Sequence, residues 1–134
     1  MVTSVEAPLE ARKKTAFKML NGIFNEGVLF TIDEVCAKNI VVHVSEGAGD
    51  ITGIKSFKDY VKDFLAAFAD IHLDVDDLHA EGDMVDAHTS FSAKNIASFR
   101  GRPRTGEDVF TEPVFFFKFG PDGKIVEHWQ ENVL

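Results

Sequence analysis

One cysteine, Cys36, stands in the 134 residues. No internal disulfide can form, so a reducing, cytoplasmic setting is expected. A lone thiol in an apolar setting reads as core packing rather than as a nucleophile. Basic residues are also scarce: 14 against 22 acidic ones, for a net charge of −8. With no basic stripe to offset that charge, a nucleic-acid backbone would be repelled, and no nucleic-acid partner is expected. No apolar run approaches the ~20 residues of a bilayer crossing. The opening MVTSVEAPLEARKK lacks an apolar signal core, so neither a membrane nor export is expected. The five histidines show none of the close ligand spacings of a zinc site, which argues against a bound metal. Internal repeats and low-complexity stretches are missing as well.

What is present is apolar material, 45% of residues, enough for one domain over 1–134 with residues 1–7 frayed. Ala16, Phe17, Leu20, Ile23 and Phe24 recur at three- and four-residue steps, which predicts an amphipathic helix from about Pro8 to Phe24. Asn25-Glu26-Gly27 breaks it. Thr31-Ile32-Asp33-Glu34 matches a capping box for a short second helix that buries Ile32, Val35 and Cys36. Ile40–Val44 is a short β run, and Glu46–Asp50 a loop. Thr52 is placed to cap a third helix, Gly53 to Phe68, with the stripe Ile54, Phe57, Val61, Phe64, Leu65, Phe68 and with Tyr60 beside it.

After Asp70 the period becomes two. Ile71, Leu73 and Val75 alternate with polar neighbours, then Leu78 and Ala80 continue in the opposite phase. That slip at Asp76-Asp77 predicts a β-bulge, which bends a sheet. Met84–Phe99 reads as a long strand. Val109–Leu134 reads as a hairpin: VFTEPVFFFKF, a GPDG turn in which Pro121 presets φ, then KIVEHWQENVL. The order predicts an α+β plan: a bent, cone-shaped barrel of roughly six mixed or antiparallel strands, with about three helices on the concave side. A cone of this kind has a pocket.

Several motifs, at these spacings, resemble the SnoaL-like polyketide (ester) cyclases of the nuclear transport factor 2-like superfamily. They are Gly53-Ile54-Lys55-Ser56-Phe57, Ala67-Phe68-Ala69-Asp70, Asp77–Asp83, Gly101–Gly106 and Asp122–Trp129. The resemblance implies a cofactor-free pocket doing acid–base chemistry on a hydrophobic carbonyl compound, as a cyclase or isomerase. In such cyclases a carboxylate takes a proton beside a carbonyl, and the enolate closes a ring. The family's Asp aligns with Gln130, and a family His with Asn95. Both departures replace a titratable group by an amide, which can hydrogen-bond but cannot act as a base near neutral pH. A non-catalytic binding or assembly module on the same scaffold is the alternative.

On an extended strand His128, Gln130 and Asn132 share one face, and Glu127, Trp129 and Glu131 the other. A three-residue loop at Pro121–Gly123 would set Trp129 on the face of Phe115, Phe117 and Phe119; a four-residue loop would set His128 there. Charge favours the second. His128 then becomes the candidate base, with Gln130, Asn95, Trp129, Tyr60, Phe64, Phe115 and Phe117 as candidate substrate-binding residues. A structural imidazole is the competing reading of His128, and a dimer face that of Trp129. Asp86 and His88 share one strand face as an acid–base dyad could, but oppose its apolar face and read as exposed; His43, in its apolar run, reads as a satisfied core or rim histidine. The apolar outer side of the hairpin points to a homodimer through the convex sheet face.

Overall fold

The computed structural model describes residues 6–44 and 49–134. Most of the stretch expected to fray, and most of the loop expected at Glu46–Asp50, lies outside the described residues. The order is α1 (Glu6–Leu20), a π-turn (Asn21–Asn25), α2 (Phe30–Val35), β1 (Cys36–Val44), β2 (Gly49–Thr52), α3 (Ile54–Ala67), β3 (Phe68–Glu81), β4 (Met84–Asn95), β5 (Asp108–Thr111), β6 (Val114–Phe119) and β7 (Ile125–Glu131). This is the expected α+β plan with one more strand than anticipated. The seven strands of the described residues form a mixed sheet in the order β2-β1-β7-β6-β4-β3, with β5 also on β4. The β1–β7 pairing is parallel. Among the described residues β2 and β3 do not pair, so the sheet is bent but not closed.

Local chemistry explains where the elements depart from expectation. Neither helix cap is made by a threonine side chain. Thr31 lies inside α2, which has no side-chain cap. Its side chain packs against Gly22, where an added Cβ would sit 2.5 Å from Thr31 Oγ1. Thr52 ends β2, and Gly53 caps α3 at φ 91°, a conformation open to glycine at no steric cost. Cys36 opens β1 rather than closing α2. On α1, Phe17 is 46% exposed and Met19 takes the buried position. The arm VFTEPVFFFKF is split at Glu112-Pro113 into β5 and β6, since proline donates no ladder hydrogen bond. Thr89 of β4 contributes both its N–H and its hydroxyl to the Pro113 carbonyl at that break.

The bulge expected at Asp76-Asp77 is present between Val75 and Asp77, and a second shift lies between Ala69 and His72. There Asp70 adopts φ 54°. The Asn25 side chain stands in for the missing partner strand: its Nδ2 donates to the Leu73 carbonyl at 2.9 Å, and Leu73 N–H donates to its Oδ1 at 2.8 Å. One amide thereby ties the end of the first helix to the bend in β3.

The sheet's inner face, from Ile40 and Val42 through Phe115 and Phe117 to Val85, Ala87 and Phe91, is buried beneath α1 and α3. Its outer face carries Val114, Phe116, Trp129 and the charged positions of β3 and β4, all exposed or half-buried.

Candidate functional site

The β6–β7 turn decides which residues face inward. Gly120 N–H bonds the Lys124 carbonyl and Phe119 pairs with Ile125, as a three-residue loop would have it. Then Val126 is left over, the register slips by one, and Phe117 pairs with His128 and Phe115 with Gln130. A single bulged residue therefore turns His128 and Gln130 toward the helices and Trp129 away from them.

His128 is fully buried. Its ring stacks on Phe117 at 4.6 Å and on Phe115 at 5.8 Å, with Phe57 at 6.0 Å. Nδ1 lies 3.0 Å from the Phe116 carbonyl oxygen. A carbonyl only accepts, so Nδ1 carries the proton and Nε2 is left as an acceptor. Gln130 Nε2 donates to that nitrogen at 3.1 Å. Burial pushes the imidazole pKa down to about 3, and the Phe116 hydrogen bond opposes it only in part. His128 is a neutral acceptor with both nitrogens engaged.

Gln130 is 5% exposed. Beyond that bond the amide carries a second N–H that can donate and a carbonyl oxygen that can accept. It lines a small apolar chamber with Ile23, Phe24, Tyr60, Val61, Phe64 and Val133. The chamber volume is about 10 Å³, room for about one water molecule at most. Tyr60 and Phe64 thus share the chamber with Gln130. Phe115 and Phe117 lie behind His128, fully buried, and are not among its lining residues.

Asn95 and Trp129 lie elsewhere. Asn95 Nδ2 donates to the Ala67 and Ala97 carbonyls, and its Oδ1 accepts from Thr105 N–H at 2.6 Å. Its amide is occupied in anchoring the 96–106 loop, beside a second pocket of about 130 Å³. Trp129 is on the outer face, stacked on His43 at 5.2 Å.

His43 forms a cluster that sequence reasoning missed. Nδ1 meets Asp50 at 2.8 Å and Nε2 meets Glu127 at 2.6 Å. Those bonds, Glu127 foremost, raise its pKa. The signal for it lies in strand pairing, His43 with Asp50 and Val41, two residues earlier, with Glu127, which no local pattern displays. His88 lies 3.4 Å from Asp86 on the outer face, with a side chain 56% exposed. Cys36 is buried against Met19, and burial lifts its thiol pKa to about 12, which leaves it an unreactive thiol at neutral pH. A larger, open groove of about 630 Å³, lined by His72, Asp74, Ser90, Phe110 and Glu112 among others, is separate from His128 and Gln130. Among the described residues no three His, Cys, Asp or Glu side chains are grouped to hold a metal ion. No described helix is long and apolar enough to cross a membrane.

An open, bent mixed sheet covered by helices is the nuclear transport factor 2-like fold, and solved structures share it. A protein from Jannaschia sp. CCS1 assigned to the SnoaL-like polyketide cyclases superposes with TM-score 0.85 at 16% identity, over 99% of this chain and 91% of that one. AclR from Streptomyces galilaeus, assigned as a hydroxylase, gives 0.76 at 27% identity, over 92% and 90%. IdmH from Streptomyces antibioticus, assigned as a polyketide cyclase, gives 0.75 at 25%, over 91% of each chain. Among proteins of curated function none matches significantly. The family profile of the SnoaL-like polyketide cyclases matches residues 14–132, and the chain belongs to that family.

Proposed function

We propose that the chain is a small cofactor-independent protein that takes an apolar, carbonyl-bearing compound into the chamber beside Gln130 and polarises the carbonyl there, in chemistry of the cyclase or isomerase type. One observation carries this: a buried amide, held by His128 at one N–H, lines a mostly apolar chamber. A fixed donor in a water-poor site stabilises negative charge developing on a carbonyl oxygen while a solvent base takes the α-proton, and a single such donor is worth a factor of ~10² to 10³ in rate. Tyr60 and Phe64 supply the apolar walls. His128 acts as a positioning residue. With a pKa of about 3 it is too weak a base to take a proton from a carbon acid efficiently near pH 7, but as a neutral acceptor it fixes which way Gln130 points.

The same lowered pKa favours a second reading, a non-catalytic binding module, because none of the residues lining the chamber is a carboxylate or a histidine. Two measurements separate the readings. α-Proton exchange on a panel of apolar ketones, followed by NMR, reports chemistry; a carbonyl stretch shifted to lower frequency in the bound ketone reports polarisation. Exchange accelerated by wild type and reduced by Gln130→Leu supports the enzyme. Binding and a shifted stretch without exchange support the module. Binding with an unshifted stretch removes Gln130 from both. Gln130→Asp should abolish binding, since it puts a charge in an apolar pocket.

The domain also pairs with a second copy through the outer sheet face, where Val114, Phe116 and Trp129 form a half-buried apolar patch.

A further inference from the structure

The chamber beside Gln130 is too small for any ligand, so part of its wall must move. Most of that wall stands on regular elements: Tyr60, Val61 and Phe64 on α3, Ile23 and Phe24 on the π-turn, Gln130 on β7. Behind Tyr60 and Phe64 stands a different kind of residue. Phe99 meets Tyr60 edge-on at 5.4 Å and Phe64 at 5.5 Å, and it also lines the outer pocket of about 130 Å³ with Phe68, Asn95 and Arg102. It is 5% exposed, yet it sits on the 96–106 loop, outside every helix and named strand.

That loop is built as a flap. Its two ends are pinned at Asn95: Nδ2 holds Ala97 and Oδ1 holds Thr105. Its tip is a tight Phe99–Arg102 bridge in which Arg100 takes φ 40° and Gly101 φ 88°. Arg100 reaches α3, where it pairs with Asp63 at 2.9 and 3.0 Å and lies over the Tyr60 ring. This latch is solvent-exposed on both sides.

We infer that Phe99 is a plug that backs Tyr60 and Phe64 and that the Arg100–Asp63 pair is its latch, so that lifting the flap lets those two rings swing aside and joins the two pockets into one cavity reaching Gln130. Phe99 thereby sets the size of compound admitted. This rests on the reading of Gln130 as the ligand-facing group, and the test keeps the two apart.

The probe is 6-propionyl-2-dimethylaminonaphthalene, an apolar ketone whose emission reports its surroundings, mixed with the intact chain by stopped flow. For wild type the observed rate should reach a plateau at the flap-opening rate. Asp63→Asn should raise that plateau by up to about fivefold, the range of an exposed ion pair. Phe99→Ala should abolish the plateau and leave a rate linear in probe. A linear wild-type rate unchanged in both variants would overturn the plug. A second arm needs no ketone. Xenon enters apolar cavities, so under xenon the methyl resonances of Ile23, Val61 and Val133 should shift in folded Phe99→Ala and stay put in wild type. If they shift while the ketone binds neither protein, the plug stands and the carbonyl reading fails. If they do not shift, the plug is refuted whatever the ketone does. Should Phe99→Ala not fold, Phe99→Leu takes its place, with a smaller shift at the same methyls expected and none overturning the inference.

Discussion

Two histidines give the protein opposite responses to acid. His128 has its pKa lowered to about 3 by burial, so between that value and the ordinary 6.5 the unfolded chain binds the proton and the folded one does not. Its contribution is intact above pH 6.5 and is lost as pH falls, by up to about 1.4 kcal/mol per unit. His43 is raised; its contribution is full below 6.5 and disappears as pH rises through the folded value. Urea unfolding at pH 5 and 7 should therefore show a steep acid-side loss that His128→Asn flattens. His43→Asn should cost more stability at pH 5.5 than at pH 9; equal costs would mean that the Asp50–His43–Glu127 cluster is not charged. At this scale the sequence was readable where chemistry alternates along one strand: two carboxylates flanking Trp129 marked its face as outward and that of His128 and Gln130 as inward. Asn95 was not readable, because its role depends on a loop carbonyl two residues on and an N–H ten residues on.

Elements were legible wherever one period runs unbroken, as in α3 and β4. The phase slip in β3 announced its own bulge. What escaped were features with no period. Pro113 broke an arm whose Phe and Val content suited a continuous strand, and the shift beside Asp70 lies where helix gives way to strand. Asn25 bonds β3 just past that second shift, so Asn25→Ala leaves both Leu73 backbone groups without their side-chain partner. The expected cost is ~1–3 kcal/mol, with faster hydrogen exchange at Leu73; unchanged exchange there would mean water replaces the side chain. Gly22→Ala should destabilise by a similar ~1–3 kcal/mol, because the added methyl overlaps Thr31. Thr31→Ala in the same chain should recover part of that loss, and a double mutant no better than the single would refute the contact.

For the whole molecule, the expected plan of helices gathered over a bent sheet is the one observed, and the open edge between β2 and β3 is the main refinement. The outer face leads to a prediction: light scattering at micromolar concentration should give a homodimer, and Trp129→Glu should give a monomer that keeps its far-ultraviolet circular dichroism. A wild-type monomer would refute the paired face. The place of β7 has a further consequence, in the timing of biosynthesis. β7 lies between β1 and β6, although some 80 residues of chain separate it from β1. As the polypeptide leaves the ribosome, β1 and β2 can pair with each other, but β1 shows a bare edge and the Phe115–Phe117–Phe119 face lacks its neighbour. Such unfinished edges and faces are where nascent chains aggregate. Insertion of β7 repairs both faults together, in one late, non-local event of the kind that slows folding, and it brings in His128 and Gln130. The step that completes the sheet is therefore also the step that buries this polar pair beneath the helices.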